Sequence, residues 1–342
     1  MPTTRLLMSA VLLLSMLVPG SESALSTGRV AGAASLAQYD FVHDPSMIHQ
    51  GPLYYLFSTG APQGEVGKGN IQIRTSPDLR HWRYTSTVFE QFPSWITSTV
   101  GQIPNLWAPD ISHYRGQYQL YYAGSAFGTN NSVIGLATNA TLDRASPAYR
   151  WVDRGLVVRS QTQDDWNAID PSFVLDAEGH PWLAFGSFWG GVKLAALDPA
   201  TRKPASSHPA LYSLAYRPGS NAVEAPFIAY RAPYYYLFVS FDRCCNGVDS
   251  TYRIMVGRAR AITGPYRDRT GAPMSEGGGT QLLASAGYVR GPGGQSVLRE
   301  GGRYLLIFHY YDARDAGQPK VRIAPLGWSG DGWPSAGPVL DP

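Results

Sequence analysis

The stretch from Asn167 to Gly191 reads Asn-Ala-Ile-Asp-Pro-Ser-Phe-Val-Leu-Asp-Ala-Glu-Gly-His-Pro-Trp-Leu-Ala-Phe-Gly-Ser-Phe-Trp-Gly-Gly. It holds an acid-Pro turn, a short apolar strand, a Gly-containing hairpin turn and an aromatic strand that ends in small residues. Related units begin at Asp44-Pro45-Ser46-Met47-Ile48, at Ala108-Pro109-Asp110-Ile111 and at Glu224-Ala225-Pro226-Phe227-Ile228, and a weaker fifth at Gly291-Pro292-Gly293-Gly294-Gln295. Each leads to an aromatic or apolar strand, as in Tyr54-Tyr55-Leu56-Phe57 and Tyr235-Tyr236-Leu237-Phe238. A third strand follows, for example Val133-Ile134-Gly135-Leu136-Ala137 or Ile254-Met255-Val256-Gly257-Arg258, and a weaker fourth around Trp82-Arg83-Tyr84 and Arg150-Trp151-Val152. Self-similarity at roughly 55–70 residues with four short strands per repeat predicts an all-β chain, a five-bladed β-propeller. Helical periodicity of any length is missing, which excludes an α/β barrel.

Ahead of the repeats, Arg5 precedes an apolar run from Leu6 to Val18, then Pro19-Gly20 and the small residues Ser21, Ser23 and Ala24. The run is too short for a bilayer span and predicts a secretory signal peptide over residues 1–23, with the propeller filling 24–342 as one domain. Gly277-Gly278-Gly279 and the segment from Gly291 to Gly294 read as loops of repeat five, and Gly64 to Asn70 as a longer loop of blade one. The net charge of +3 over 342 residues, with basic residues scattered, excludes a nucleic-acid groove, and no later stretch suits a membrane. A secreted, soluble monomer is expected. Aromatic residues make up 12% against 15% charged, which suits β-strands and clefts lined by flat rings. The two cysteines, Cys244 and Cys245, are adjacent and cannot staple distant segments. Neighbouring Cα atoms lie ~3.8 Å apart, below the usual disulfide range, so free thiols and a strained bond both stay open.

In a propeller the first strand of each blade lines the axis, so Asp44, Asp110, Asp170 and Glu224 are expected to converge. Carboxylates sharing a confined cleft cannot all ionise freely, so at least one pKa is expected to rise. An ionised base and a protonated acid about 6.5–9.5 Å apart are what an inverting glycosidase needs. Each acid beside a proline is also a plain turn former; their recurrence in the repeats favours chemistry. Asp110 follows its proline and is left outside the catalytic set.

Val42-His43-Asp44-Pro45-Ser46, Asn105-Leu106-Trp107-Ala108-Pro109-Asp110-Ile111, Asn167-Ala168-Ile169-Asp170-Pro171, Gly186-Ser187-Phe188-Trp189, Glu224-Ala225-Pro226-Phe227, Phe241-Asp242-Arg243-Cys244-Cys245-Asn246-Gly247 and His309-Tyr310-Tyr311-Asp312 stand in series along the chain. Together they resemble the endo-acting arabinanases of glycoside hydrolase family 43. The resemblance implies cleavage of α-1,5-linked arabinofuranose chains with inversion, with arabinan or arabino-oligosaccharides as partners. It makes Asp44 the general base, Glu224 the general acid and Asp170 the residue that raises the pKa of Glu224 and orients it. It puts Asp44, Trp107, Phe127, Gly128, Asn167, Ala168, Ile169, Asp170, Ser187, Phe188 and Trp189 against sugar. His309 resembles an axial histidine that holds water around a bound ion, calcium, mostly hydrated for lack of other protein ligands. Where many relatives carry a His within the Gly-Pro-Gly turn of blade five, this chain has Gly293-Gly294-Gln295-Ser296, which bears on the inner polar ring. An exo-acting arabinofuranosidase or β-xylosidase and a non-catalytic glycan-binding propeller are the competing readings. The fructan hydrolases are set aside because their Asn-Asp-Pro-Asn opening and Glu-Cys acid motif are absent.

Overall fold

A computed structural model of the chain describes residues 41–61 and 67–338. The expected leader over 1–23 and part of the Gly64 to Asn70 loop lie outside the described residues. The described residues form five four-stranded antiparallel sheets, each ordered in sequence from the inside out. Blade one is β1 (Ser46–Gln50), β2 (Leu53–Ser58), β3 (Gln72–Ser76) and β4 (Arg83–Thr87); blade two is β5 (Leu106–Tyr114), β6 (Gln117–Gly124), β7 (Ser132–Asn139) and β8 (Val152–Ser160). Blade three is β9 (Ser172–Leu175), β10 (Pro181–Phe185), β11 (Val192–Ala196) and β12 (Tyr212–Ala215). Blade four is β13 (Val223–Arg231), β14 (Tyr234–Phe241), β15 (Arg253–Ala259) and β16 (Thr280–Leu283); blade five is β17 (Val289–Glu300), β18 (Arg303–Asp312), β19 (Gln318–Trp328) and β20 (Pro334–Ala336). The five-bladed propeller read from the repeats is the observed fold.

Middle strands are sandwiched between neighbouring blades, so both their faces are buried and their sequences run apolar without alternation. All eight residues of β7 are buried, and seven of eight in β14. The outer strand β8 keeps only two of its nine residues buried. Five apolar clusters result, one at each blade interface. Blades one and two share Phe57, Ile73, Leu120 and Tyr122; blades five and one share Val42, Met47, Leu56, Ile307 and Ile323. Among the described residues no strand is exchanged at that last seam. It closes through this cluster, through Val42 N–H donating to Pro319 O at 3.0 Å, and through the Ser296 hydroxyl donating to Pro45 O at 2.7 Å.

Two details depart from the sequence reading. Gly277-Gly278-Gly279 belongs to blade four, leading into β16, because repeat five begins only at β17. The run from Gly291 to Gly294 is not a loop but part of β17, whose register shifts twice there. A seven-residue helix, α1 (Ser94–Val100), joins blades one and two, and among the described residues no helix is long and apolar enough to cross a membrane.

Each innermost strand is entered through one device. The residue before its proline has positive φ: Asp44 (49°), Ala108 (43°), Asp170 (56°), Ala225 (53°) and Gly291 (50°). For a side-chain-bearing residue this costs about 1–3 kcal/mol and persists only where the surroundings hold it. The holding group comes from the preceding blade around the ring. Ala225 N–H donates to Asp170 Oδ2 at 3.0 Å, Ala108 N–H to Thr59 Oγ1 at 2.9 Å, and Asp44 N–H to His309 Nδ1 at 3.1 Å. A buried N–H left without an acceptor costs about 1–3 kcal/mol. Thr59→Val keeps the shape and removes the acceptor for Ala108, so we expect it to lower unfolding stability by about 1–3 kcal/mol, read as a lower urea midpoint at unchanged slope.

Candidate active site

The left-handed residue before each proline sets the true alignment of the blades. Asp44 and Asp170 are equivalent, both occupying that position. Glu224 lies one residue earlier, beside Ala225, and Asp110 two residues later than Ala108. The four acids therefore do not share one register, contrary to the simple repeat reading. Bulges restore part of the convergence: register shifts between Glu224 and Phe227, and between Trp107 and Asp110. A cavity on the axis is lined by Asp44, Asp110 and Asp170 together with Gln295 and Ser296. Glu224 reaches the same centre from the wall, next to Ala225, whose N–H is held by Asp170.

Asp110 sits about two strand residues, ~6–7 Å, further along the axis than the equivalents of Asp44. Its Oδ2 accepts from Phe173 N–H at 2.7 Å and its Oδ1 from the Ser46 hydroxyl at 3.3 Å, so it ties blades one, two and three together. Burial pushes its carboxyl up to about 7, against those two hydrogen bonds.

Asp44 and Glu224 live in opposed environments. Burial alone would raise Asp44, but the field of His43, its hydrogen bond, the field of His309 and the Thr59 hydroxyl together bring it down to about 2. His43 Nδ1 lies 2.8 Å from Asp44 Oδ2, and Thr59 Oγ1 donates to the same oxygen at 2.7 Å. For Glu224, burial dominates and the charge of Asp44 adds to it; the Ser187 hydroxyl and His43 oppose, and the carboxyl stands at about 7. Ser187 hydrogen-bonds one of its oxygens and Tyr252 the other. Asp170 is raised well above the usual carboxylate range by burial, then by the charges of Glu224 and Asp44, despite the N–H of Ala225. Asp170 and Glu224 thus titrate as a pair rather than as two independent groups.

The sugar-facing residues expected from the sequence stand at the same end of the ring, because strand starts of β5, β9 and β13 pair with the ends of β6, β10 and β14. Ser187 is brought onto Glu224, and Phe188 (φ 51°) and Trp189 (φ 38°) follow it on the β10–β11 turn. Asn167, Ala168 and Ile169 are buried ahead of Asp170, with Asn167 Oδ1 lacking a protein donor. Trp107 is half-buried and donates to Asn105 Oδ1 at 2.9 Å, while Phe127, 82% exposed, and Gly128 project on the β6–β7 loop. Thr59, His43, Tyr252 and Tyr311 escaped the sequence reading as site residues. His43 and Tyr311 stand within quoted motifs without a role of their own, but Thr59 and Tyr252 reach the acids only through the fold.

Gly293 and Gly294 explain the glycine-rich entry to β17. A Cβ at Gly293 would fall 2.2 Å from the Tyr252 ring, and one at Gly294 (φ 55°) 2.5 Å from Asp44 Oδ1 and 2.6 Å from His309 Nδ1. Gln295 takes the ring position beyond them, donating to Ala225 O at 2.7 Å and accepting from the Ser240 hydroxyl at 3.1 Å.

His43, Asp44 and His309 offer metal-ligand atoms within 4.8 Å of one another. His309 is fully buried, and burial drives its pKa well below the ordinary value. Its Nδ1 accepts the Asp44 N–H, so the neutral ring carries its proton on Nε2, a buried donor with no protein acceptor. Such a donor suits a water oxygen and not a bare cation. The cavity itself is rich in carboxylate and carbonyl oxygen, the donor type hard cations prefer. The residues fit a hydrated ion and not a direct His309 bond to metal. Cys244 and Cys245, left open above, are joined as a disulfide.

A sequence model of glycosyl hydrolases family 43 matches residues 39–334. The chain is 44% identical over 326 residues to an extracellular endo-α-(1→5)-L-arabinanase of Bacillus subtilis (strain 168), covering 92% of this chain and 96% of that protein. It is 42% identical over 324 residues to an extracellular exo-α-(1→5)-L-arabinofuranosidase of Cellvibrio japonicus (strain Ueda107), covering 91% and 90%. Among solved structures, a family 43 endo-arabinanase from Bacillus licheniformis superposes with a TM-score of 0.80 at 47% identity, covering 86% of this chain and 97% of the other. With the match running through every blade and the acids set in one axial ring, the chain belongs to glycosyl hydrolase family 43.

Proposed function

We propose that this protein is an exported, inverting endo-1,5-α-L-arabinanase that cleaves internal bonds of arabinan. The observation that carries the chemistry is the split between two carboxyl groups of one cleft, Asp44 at about 2 and Glu224 at about 7. One is ionised and the other still protonated over the mildly acidic range, which is the pairing inversion requires. Asp44 takes a proton from water as the water attacks the anomeric carbon. Glu224 gives its proton to the departing sugar oxygen from the opposite side. Asp170 couples to Glu224 and, through Ala225 N–H, fixes the backbone beside it. The substrate reading includes Trp107, Phe127 and Gly128 on blade two, Asn167 to Asp170, and Ser187 to Trp189 on blade three. Residues 1–23 serve as the export leader and 24–342 as the catalytic domain. Endo-action follows the Bacillus relatives; an exo-enzyme would release arabinose alone, so product analysis on linear arabinan over time decides between them, with a ladder of oligosaccharides expected.

The axial ion belongs to the same proposal. Calcium, largely hydrated, would lie in the cavity among Asp44, Asp110, Asp170 and Gln295, with His309 Nε2 donating to a water beside it; it would supply fixed positive charge to the carboxylate ring.

Asp44→Ala and Glu224→Ala are each expected to lose about 10²–10⁴ of the rate on arabinan while keeping the wild-type circular dichroism and melting behaviour. Loss of fold in both would assign the acids to structure instead. For the wild type, kcat/KM should fall as pH rises through about 7, where Glu224 gives up its proton, while Asp44 stays ionised on the acid side down to about 2. If Asp170 carries the negative charge of the coupled pair, replacing it by Asn removes a like charge beside Glu224 and the alkaline limb moves to lower pH. The rate should drop more on arabinan than on an aryl arabinoside, whose leaving group needs no acid. An unmoved limb with equal losses on both substrates would make Asp170 a holder of substrate only. Stripping with a chelator, checked by elemental analysis, should lower activity or melting temperature modestly; with the metal gone and both unchanged, the ion drops out.

A further inference from the structure

We propose that the Cys244–Cys245 disulfide turn is a positioning device for the catalytic base, acting through Tyr311 and His43. The inference rests on Asp44 being the base. The turn lies on the β14–β15 connection at the active end of blade four, where Cys244 is half-buried and Cys245 exposed. Cys245 has φ 66°, a conformation uncommon for any residue other than glycine. The small ring that two adjacent bonded cysteines close restricts the backbone to few conformations, which keeps the Cys245 N–H aimed in one direction. That N–H donates to the Tyr311 hydroxyl at 2.7 Å. The Tyr311 hydroxyl lies 2.7 Å from His43 Nε2, and His43 Nδ1 lies 2.8 Å from Asp44 Oδ2. Cys245 Sγ also rests 3.8 Å from His43 Nε2.

The ionised Asp44 can only accept, so His43 Nδ1 carries a proton and presents it to Oδ2. The Tyr311 oxygen takes the Cys245 N–H on one lone pair and meets His43 Nε2 beside it, which ties the imidazole to the turn. His43 is clamped from its other face by the His309 ring, 3.7 Å between centroids. Three blades thus act on one carboxylate, directly or through His43: the disulfide turn from blade four, Tyr311 and His309 from blade five, and His43 from the entry to blade one. The rest of the turn is anchored independently, by Asp242 to Arg217 at 2.7 Å and Arg253 at 2.8 Å, and by Asn246 N–H to the Ser250 hydroxyl at 3.0 Å. Loss of the disulfide therefore loosens the Cys245 N–H without releasing the loop.

The test is a double-mutant cycle on linear arabinan. Tyr311→Phe breaks the chain at its middle link, and Cys244→Ser with Cys245→Ser frees its outer end. Each is expected to lower kcat about tenfold, as a slightly misplaced base does, with KM little changed. Combined, they should lower it no further than the more severe of the two, because both act on one chain. Additive losses, a rise in KM instead of a fall in kcat, or a wild-type kcat in the disulfide variant would overturn the inference. If the serine variant does not fold, the disulfide of folded wild-type enzyme is reduced and alkylated. The same fall in kcat is expected there, and none in Tyr311→Phe treated alike; equal falls in both would overturn it. Asp44→Ala is the reference: full activity in that variant would remove the base assignment itself, whereas an inactive Asp44→Ala beside an unresponsive disulfide removes only the positioning role.

Discussion

The backbone N–H of the residue before each inner proline is the group on which the ring depends. Placing that residue in the left-handed region turns the strand sharply toward the axis, and it leaves one buried donor per blade to satisfy. In three blades the acceptor is a side chain of an adjacent blade: Asp170 for Ala225, Thr59 for Ala108, His309 for Asp44. The conformational cost of about 1–3 kcal/mol is of the same size as what leaving the buried N–H unsatisfied would cost, about 1–3 kcal/mol. The axial layer is therefore close to neutral in stability. Net stability comes from the five apolar clusters between blades, which leaves the axis free to hold acids.

The electrostatic division of labour grows from the same hydrogen bonds. Asp44 and Glu224 are both buried enough to be pushed up, yet only one rises. Asp44 has His43, His309 and Thr59 turned toward it, so its charge is solvated by the protein. Glu224 has hydroxyls for neighbours and a carboxylate across the cleft. Neutral donors offset part of the desolvation and a like charge adds to it, so the proton stays longer. Roles follow from partners, not from sequence position.

Much of this was legible in the sequence. Repeating acid-Pro or Ala-Pro turns followed by aromatic runs define blades, and aromatic strands such as Tyr54-Tyr55-Leu56-Phe57 mark surfaces buried on both sides. The fourth strands were faint because an outer strand faces solvent and has little apolar pattern; Tyr212–Ala215 and Pro334–Ala336 carry almost none. The register of the acids was blurred for a different reason. Bulges at Glu224 and Trp107 insert residues that no periodicity reveals, so equal positions in the text are not equal positions on the axis. Thr59 and Tyr252 were invisible as site residues because they lie on second strands or loops, and only ring closure brings them to the acids. Asn130-Asn131-Ser132 and Asn139-Ala140-Thr141 match the N-glycosylation triplet as text, and the fold decides otherwise. Both leading asparagines are buried, and Asn130 Nδ2 serves three backbone carbonyls, so neither amide is available in the folded chain.

The seam between blades five and one shares no strand among the described residues, and Asp44 stands beside it. Its backbone is held by His309, its pocket wall is Gly294, and its neighbouring carbonyl is bonded by Ser296, all from the last blade to be synthesised. His43 and Thr59 come with the base from the first blade, but His309 and Gly294 reach it only when the fifth blade docks. Until that seam shuts, the protein carries its acids without the full arrangement that makes them a hydrolase, so catalytic competence arrives with closure of the ring.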